Sequence, residues 1–106
     1  MNDPQFVEAA RFLAQKAILE KGDNFDQHLD YMTDRVLSRK FTKQERLVAR
    51  NAYDDFQAYY NSNPDAAQSL IETGESTPEK DLSLAQSAAL TMLANQLMNL
   101  DEVLNK

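Results

Sequence analysis

The chain contains no cysteine, which excludes disulfides, thiolate metal sites and covalent haem attachment within it. Compartment is not fixed by that absence. Glycine and proline are scarce, at two and three residues in 106, and dense β-branched runs are missing. Both breakers are expensive inside helices, so their scarcity leaves long uninterrupted segments free to be helical. There is one histidine, no His-Glu-x-x-His pair, no paired Glu-x-x-His of a di-iron bundle, no Gly-rich phosphate loop and no Gly-x-Ser-x-Gly elbow. The materials of a nucleophilic, metal-dependent or phosphate-cradling enzyme are therefore not in view. No apolar run approaches the roughly 20 residues of a membrane span. The first residues, interrupted by Asp3 and Glu8, lack the apolar stretch of a signal peptide. Net charge is −6, from 17 acids against 11 bases, which disfavours a phosphate backbone as partner and favours solubility. No nucleic acid and no membrane insertion are expected.

What is present is an amphipathic pattern with a helical period. With 42% apolar residues, a chain of this length has the material for one core and reads as a single domain over 1–106. The expected fold is all-α, a compact bundle of about five helices with the C-terminal helix central.

The first helix is expected to start at Asn2-Asp3-Pro4, run to about Lys21 and stop at Gly22. Asn2 or Asp3 can cap it, and Pro4 suits a first turn whose N–H needs no partner. Phe6, Ala10, Leu13, Ala14, Ala17 and Ile18 share one stripe. Phe12 and Leu19 lie seven residues apart on nearly the opposite side. They either touch further helices of the same core or form a docking strip for a partner or a parent domain.

The second helix is expected from about Asn24 to Arg39, with Phe25, Leu29, Met32 and Val36 inward. Asp26, Asp30 and Asp34 fall on its far side and read as a solvated face, because no Gly-containing acidic loop accompanies them. His28 flanks the apolar stripe and reads as a boundary residue. Thr42-Lys43-Gln44-Glu45 is a capping box, the most specific local signal in the chain. It opens a third helix to about Tyr60, with Val48, Ala49, Ala52, Tyr53, Phe56, Tyr59 and Tyr60 on a core face and Leu47 pointing away. Those aromatics read as packing groups and not as a base-stacking platform, since Asp54 and Asp55 follow Arg46 and Arg50 closely.

Asn63-Pro64 starts a short fourth helix, with Ala66, Ala67, Leu70 and Ile71 inward and Gly74 at its end. Glu75 to Lys80 reads as a polar loop, the segment expected to move most. The fifth helix is expected from Asp81 or Leu82 to at least Asn99. Its stripe of Leu82, Ala85, Ala89, Leu90, Leu93 and Leu97 keeps phase into Leu100 and Leu104. Ala88, Met92, Ala94 and Met98 broaden that stripe, as befits a central helix.

Two terminal blocks, "NDPQFVEAARFLAQK" and "ANQLMNLDEVLNK", with "RVLSRKFTKQERLVARNAY" between them, resemble the C-terminal part of a large bacterial family. This is the domain-of-unknown-function 1553 family of planctomycete-type cytochrome-c-associated proteins. The family's Gly-Arg before the middle turn is Ser38-Arg39 here, its usual Pro is Phe41, and an aromatic before the last helical segment is Leu90. The resemblance implies a piece of a larger, extracytoplasmic, multidomain protein whose haem-binding part lies elsewhere. It transfers no catalytic residues.

It groups Asn2, Asp3, Glu8 and Arg11 with Asn99, Asp101 and Glu102, either as contacts joining the chain ends or as a surface facing other domains. Arg11 is expected to pair with an acid, Asp101 or Glu102 being the candidates. The expected function is that of a non-catalytic packing and interaction module, with no cofactor and with other domains of the parent protein or a protein partner as its counterpart. The alternative is an accessory part of a multidomain hydrolase or redox enzyme, contributing Asp101 and Glu102 to a site completed by other domains. Adjacent helical residues point about 100° apart, which argues against those two sharing a site within this chain.

Overall fold

In a computed structural model, residues 4–22, 24–72 and 83–104 are described, with side-chain surroundings for 7–22, 24–71 and 83–100. Five helices follow one another: α1 (Pro4–Lys21), α2 (Phe25–Leu37), α3 (Lys43–Ser62), α4 (Pro64–Glu72) and α5 (Leu84–Leu104). No strand occurs among the described residues.

The helix ends follow from local chemistry. Gly22 closes α1 at φ +72°, its N–H donating to the Ile18 carbonyl, in the left-handed conformation that glycine tolerates best. The Asn24 side chain caps α2 by accepting from the Gln27 N–H. Thr42 caps α3 reciprocally: Thr42 Oγ1 accepts from the Glu45 N–H at 3.2 Å, and Glu45 Oε1 accepts from the Thr42 N–H at 2.8 Å. A second capping box opens α5. Ser83 Oγ accepts from the Gln86 N–H, and Gln86 Oε1 accepts from the Ser83 N–H. The Ser-x-x-Gln text was as readable as Thr-x-x-Glu, and it moves the start of the last helix to Leu84.

Ser38 ends α2 at φ +61°, donating its N–H to the Asp34 carbonyl. A side chain in that conformation is disfavoured by roughly 1–2 kcal/mol. Ser38→Gly is therefore expected to raise stability by about 1 kcal/mol, read as a higher urea midpoint at constant slope.

Helix α5 packs against all four others, as a central element must. Its buried positions include Ala85, Ala88, Ala89, Leu90, Leu93, Ala94 and Leu97. On α1, the helix that meets it most extensively, the buried apolar positions are Ala10, Ala14, Ala17 and Ile18. Small side chains on both partners let the two backbones approach closely. Leu29 and Met32 of α2 and Ala49 and Tyr53 of α3 join the same core. A smaller cluster of Tyr60, Ala67, Ile71, Ala85 and Ala88 seats α4, and Phe56 packs against both clusters.

Four expectations from periodicity are corrected. Val48 and Tyr59 are exposed at 67% and 54%, not core. Positions 49, 53, 56 and 60 make the true inward stripe of α3, and Val48 and Tyr59 lie about 80–100° off it at 100° per residue. Leu100, expected on the inward stripe of α5, is 38% exposed and lines the open end of a recess between α3 and α5. His28 is buried, not marginal, with Nε2 2.5 Å from the Gly22 carbonyl. A carbonyl only accepts, so Nε2 carries the proton and ties α2 to the end of α1. Asp26 and Asp30 are not simply solvated: Arg46 of α3 reaches both. With the Phe25–Tyr53 ring pair at 4.7 Å, they join α2 to α3. Gly74 and the polar stretch 75–80, like Asp81 and Leu82, lie outside the described residues.

Candidate docking surface

The residues singled out in the sequence divide between surface and interior. Phe12 and Leu19 are exposed at 57% and 63%, so helices of the same core do not cover them. Their seven-residue spacing places them on one side of α1, about 10 Å apart along its axis. Lys16 sits between them in sequence, its ammonium 6.0 Å from the Phe12 ring centroid.

Beside this strip, α1 and α2 enclose an open groove of about 640 Å³. Ala9, Phe12 and Leu13 form its apolar wall on α1, and Tyr31 forms that on α2. Glu8 and Lys16 lie on its α1 side, and Arg35 closes the α2 side. The Arg35 guanidinium stacks 3.6 Å over the Tyr31 ring centroid, a cation–π contact that holds the charge at the groove's edge. Tyr31 and Arg35 also border a more polar recess of about 420 Å³ that carries Glu20, Asp30 and Asp34. Sequence reasoning missed this pair. The readable signal was an aromatic and an arginine four residues apart on one helix face.

Electrostatics separate Arg35 from its neighbours. Arg39 binds Glu45 through two parallel bonds of 2.9 and 3.0 Å, Arg46 takes Asp26 and Asp30, and Arg50 takes Asp54. Among the described residues neither Arg35 nor Lys16 forms an ion pair.

The Arg39 fork and the Thr42 backbone bond together hold the Glu45 carboxyl down at about 2, from an ordinary value of 4.5. Depression means the ionised form is favoured in the folded chain. Its stabilisation is complete above about pH 4.5 and is lost as pH falls towards 2. Acid titration of the melting temperature is expected to be less steep in Glu45→Gln than in the wild type over that window. Equal slopes would leave the exposed Arg39–Glu45 fork without effect. Burial pushes the Tyr53 and Tyr60 hydroxyls above their ordinary value, so both stay protonated at neutral pH.

No family model matches the chain, and no curated protein or solved structure matches it. Geometry must therefore place the remaining motif residues. Glu8 is exposed on α1. Arg11 is not part of a surface: it is 3% exposed and donates from Nη1 to the Leu70 carbonyl in the last turn of α4, at 3.3 Å. That partner is a helix C-terminus, whose last carbonyls lack partners within the helix and carry partial negative charge; the acids expected to pair with Arg11 lie outside the residues whose side chains are described. Asn99 is half-buried on α5. The backbones of Asp101 and Glu102 continue α5, but their side chains lie outside the described residues, as do Asn2 and Asp3. Asp26, Asp30 and Asp34 do not converge as ligands, and no group of three or more carboxylate or imidazole side chains gathers among the described residues. Nor, among these residues, is any helix long and apolar enough to cross a membrane.

Proposed function

We propose that this chain is a helical packing and interaction module that acts by contact through the outer face of α1. The observation that carries the reading is the pair of exposed apolar side chains, Phe12 and Leu19, beside the α1/α2 groove. Scattered exposed apolar residues are ordinary, but a large aromatic and a leucine two turns apart on one helix face, next to a concave apolar wall, are what a removed partner leaves behind. The likeness of the two terminal blocks to the domain-of-unknown-function 1553 family supports the same reading, since it makes another domain of a larger parent the natural counterpart.

A photo-crosslinking amino acid tests this in cells making the natural protein. Placed at Phe12 or at Leu19, it is expected to give one discrete adduct, within the parent protein or to one partner. Placed at Leu47, which is 61% exposed on α3, it is expected to give none. Identical products at all three positions, or no adduct at any, would remove α1 as the docking face.

A further inference from the structure

We infer that the α1/α2 groove takes an acidic amphipathic helix, whose apolar anchors lie against Phe12 and Leu13 and whose carboxylates reach Arg35 and Lys16. This rests on the reading of α1 as a docking face and adds the chemistry of the partner.

The groove's charge points to that class. The chain as a whole carries −6, yet this groove is edged by two cations and one carboxylate, Glu8. Arg39, Arg46 and Arg50 find carboxylates within the chain, whereas Arg35 does not among the described residues. That holds although Asp34 adjoins it in sequence and Asp30 and Glu20 border the neighbouring recess. The Tyr31 ring holds the guanidinium in place, and Arg35 is exposed to solvent. A planar fork held in that way suits a carboxylate better than a mobile ammonium does.

The shape argues for a helix. The groove is open along its length, and its α1 wall from Glu8 to Lys16, with Leu19 beyond, covers about three turns. Phe12 and Leu19 offer contacts at a two-turn spacing, which matches anchors at i and i+7 of an incoming amphipathic helix. The recess between α3 and α5, lined by Phe41, Val48, Leu97 and Leu100, is equally apolar, but the cation beside it, Arg39 over the Phe41 ring, is already paired with the Glu45 carboxylate that borders it. A second copy meeting the groove isologously is a poorer occupant, since it would set Arg35 and Lys16 against the same cations of its partner.

The test uses the whole chain as bait for a displayed library of 20-residue amphipathic helices with all polar positions randomised. Enriched helices are expected to carry Asp or Glu flanking their apolar anchors. Their affinity is expected to fall about tenfold or more in Arg35→Glu, to fall with added salt, and to vanish in Phe12→Ser. Both substituted residues are exposed, so unchanged circular dichroism is expected to establish that the variants fold. Enrichment of neutral or basic helices that still depend on Phe12 would overturn the acidic partner while leaving the docking face in place. Helices indifferent to Phe12, or no enrichment over the Phe12→Ser bait, would overturn both. A concentration-dependent dimer in sedimentation that Phe12→Ser abolishes would assign the groove to a second copy and also overturn the inference.

Discussion

Leu90→Ala is expected to cost about 2–5 kcal/mol, the range for deleting a buried large aliphatic side chain from a core that relaxes only partly. Leu90 is fully buried in the main cluster, on the one helix that touches all four others. Domains of this size have about 5–15 kcal/mol in total, and the loss corresponds to a fall in melting temperature of roughly 8 °C or more. Leu47→Ala is the control: that side chain is 61% exposed, and its loss is expected to stay within about 0.5 kcal/mol. Urea unfolding of both variants at constant slope measures the difference. If Leu90→Ala costs less than about 1 kcal/mol, α5 is not the organising helix.

Helix number, order and most ends were legible because the signals are local. A capping box, a proline in a first turn and a glycine after a last turn act within four residues, and periodicity reports the inward face directly. The width of each face was less legible. Reading Val48 and Tyr59 as core asked one face of α3 to span more than a third of the helix circumference. How wide a buried stripe can be depends on how many helices surround it, and that is a tertiary fact. On α5, with four neighbours, the wide stripe holds as far as Leu97; on α3, among the described residues, no helix covers the outer edge. The same dependence left Phe12 and Leu19 undecided in the sequence, because two stripes on one helix are equally compatible with two internal neighbours or with one neighbour and a docking face.

Candidate-site chemistry was harder to read because its partners lie far apart in sequence. Glu45 was singled out as a cap, but its fork with Arg39 needs the turn at Ser38 to bring the two together. The groove needs α1 and α2 side by side before Phe12 and Arg35 become neighbours, and nothing in either segment alone announces it. Charge ladders misled in the same way: Asp26 and Asp30 look like a solvated face until α3 delivers Arg46. His28 likewise gains its partner only when the chain turns at Gly22.

Arg11 gives the sharpest case, and a second large effect is expected there. Arg11→Ala is expected to lower stability by about 2–3 kcal/mol, from a charge-assisted bond worth roughly 1.5–3 kcal/mol together with the packing of its buried stem. The guanidinium meets the Leu70 carbonyl at the end of α4, the shortest helix, which relies on outside partners for its last carbonyls. The direction of the dipole makes that end the right place for a cation. Yet a buried cation also carries a desolvation cost, and an apolar side chain of similar length avoids it. Arg11→Met also removes the charge but keeps the stem, so it is expected to cost about 1 kcal/mol less than the alanine variant. The comparison separates the two contributions. If methionine is as damaging as alanine, the bond to α4 dominates and hydrogen exchange in 64–72 is expected to quicken selectively. If methionine is neutral while alanine is damaging, the arginine stem is core packing, and the motif "EAAR" is read as a structural element of the α1 interior. Added salt is expected to change neither result, since a side chain 3% exposed is poorly screened. A fall of less than about 0.5 kcal/mol in Arg11→Ala would place the guanidinium outside the forces that hold α4 to the bundle.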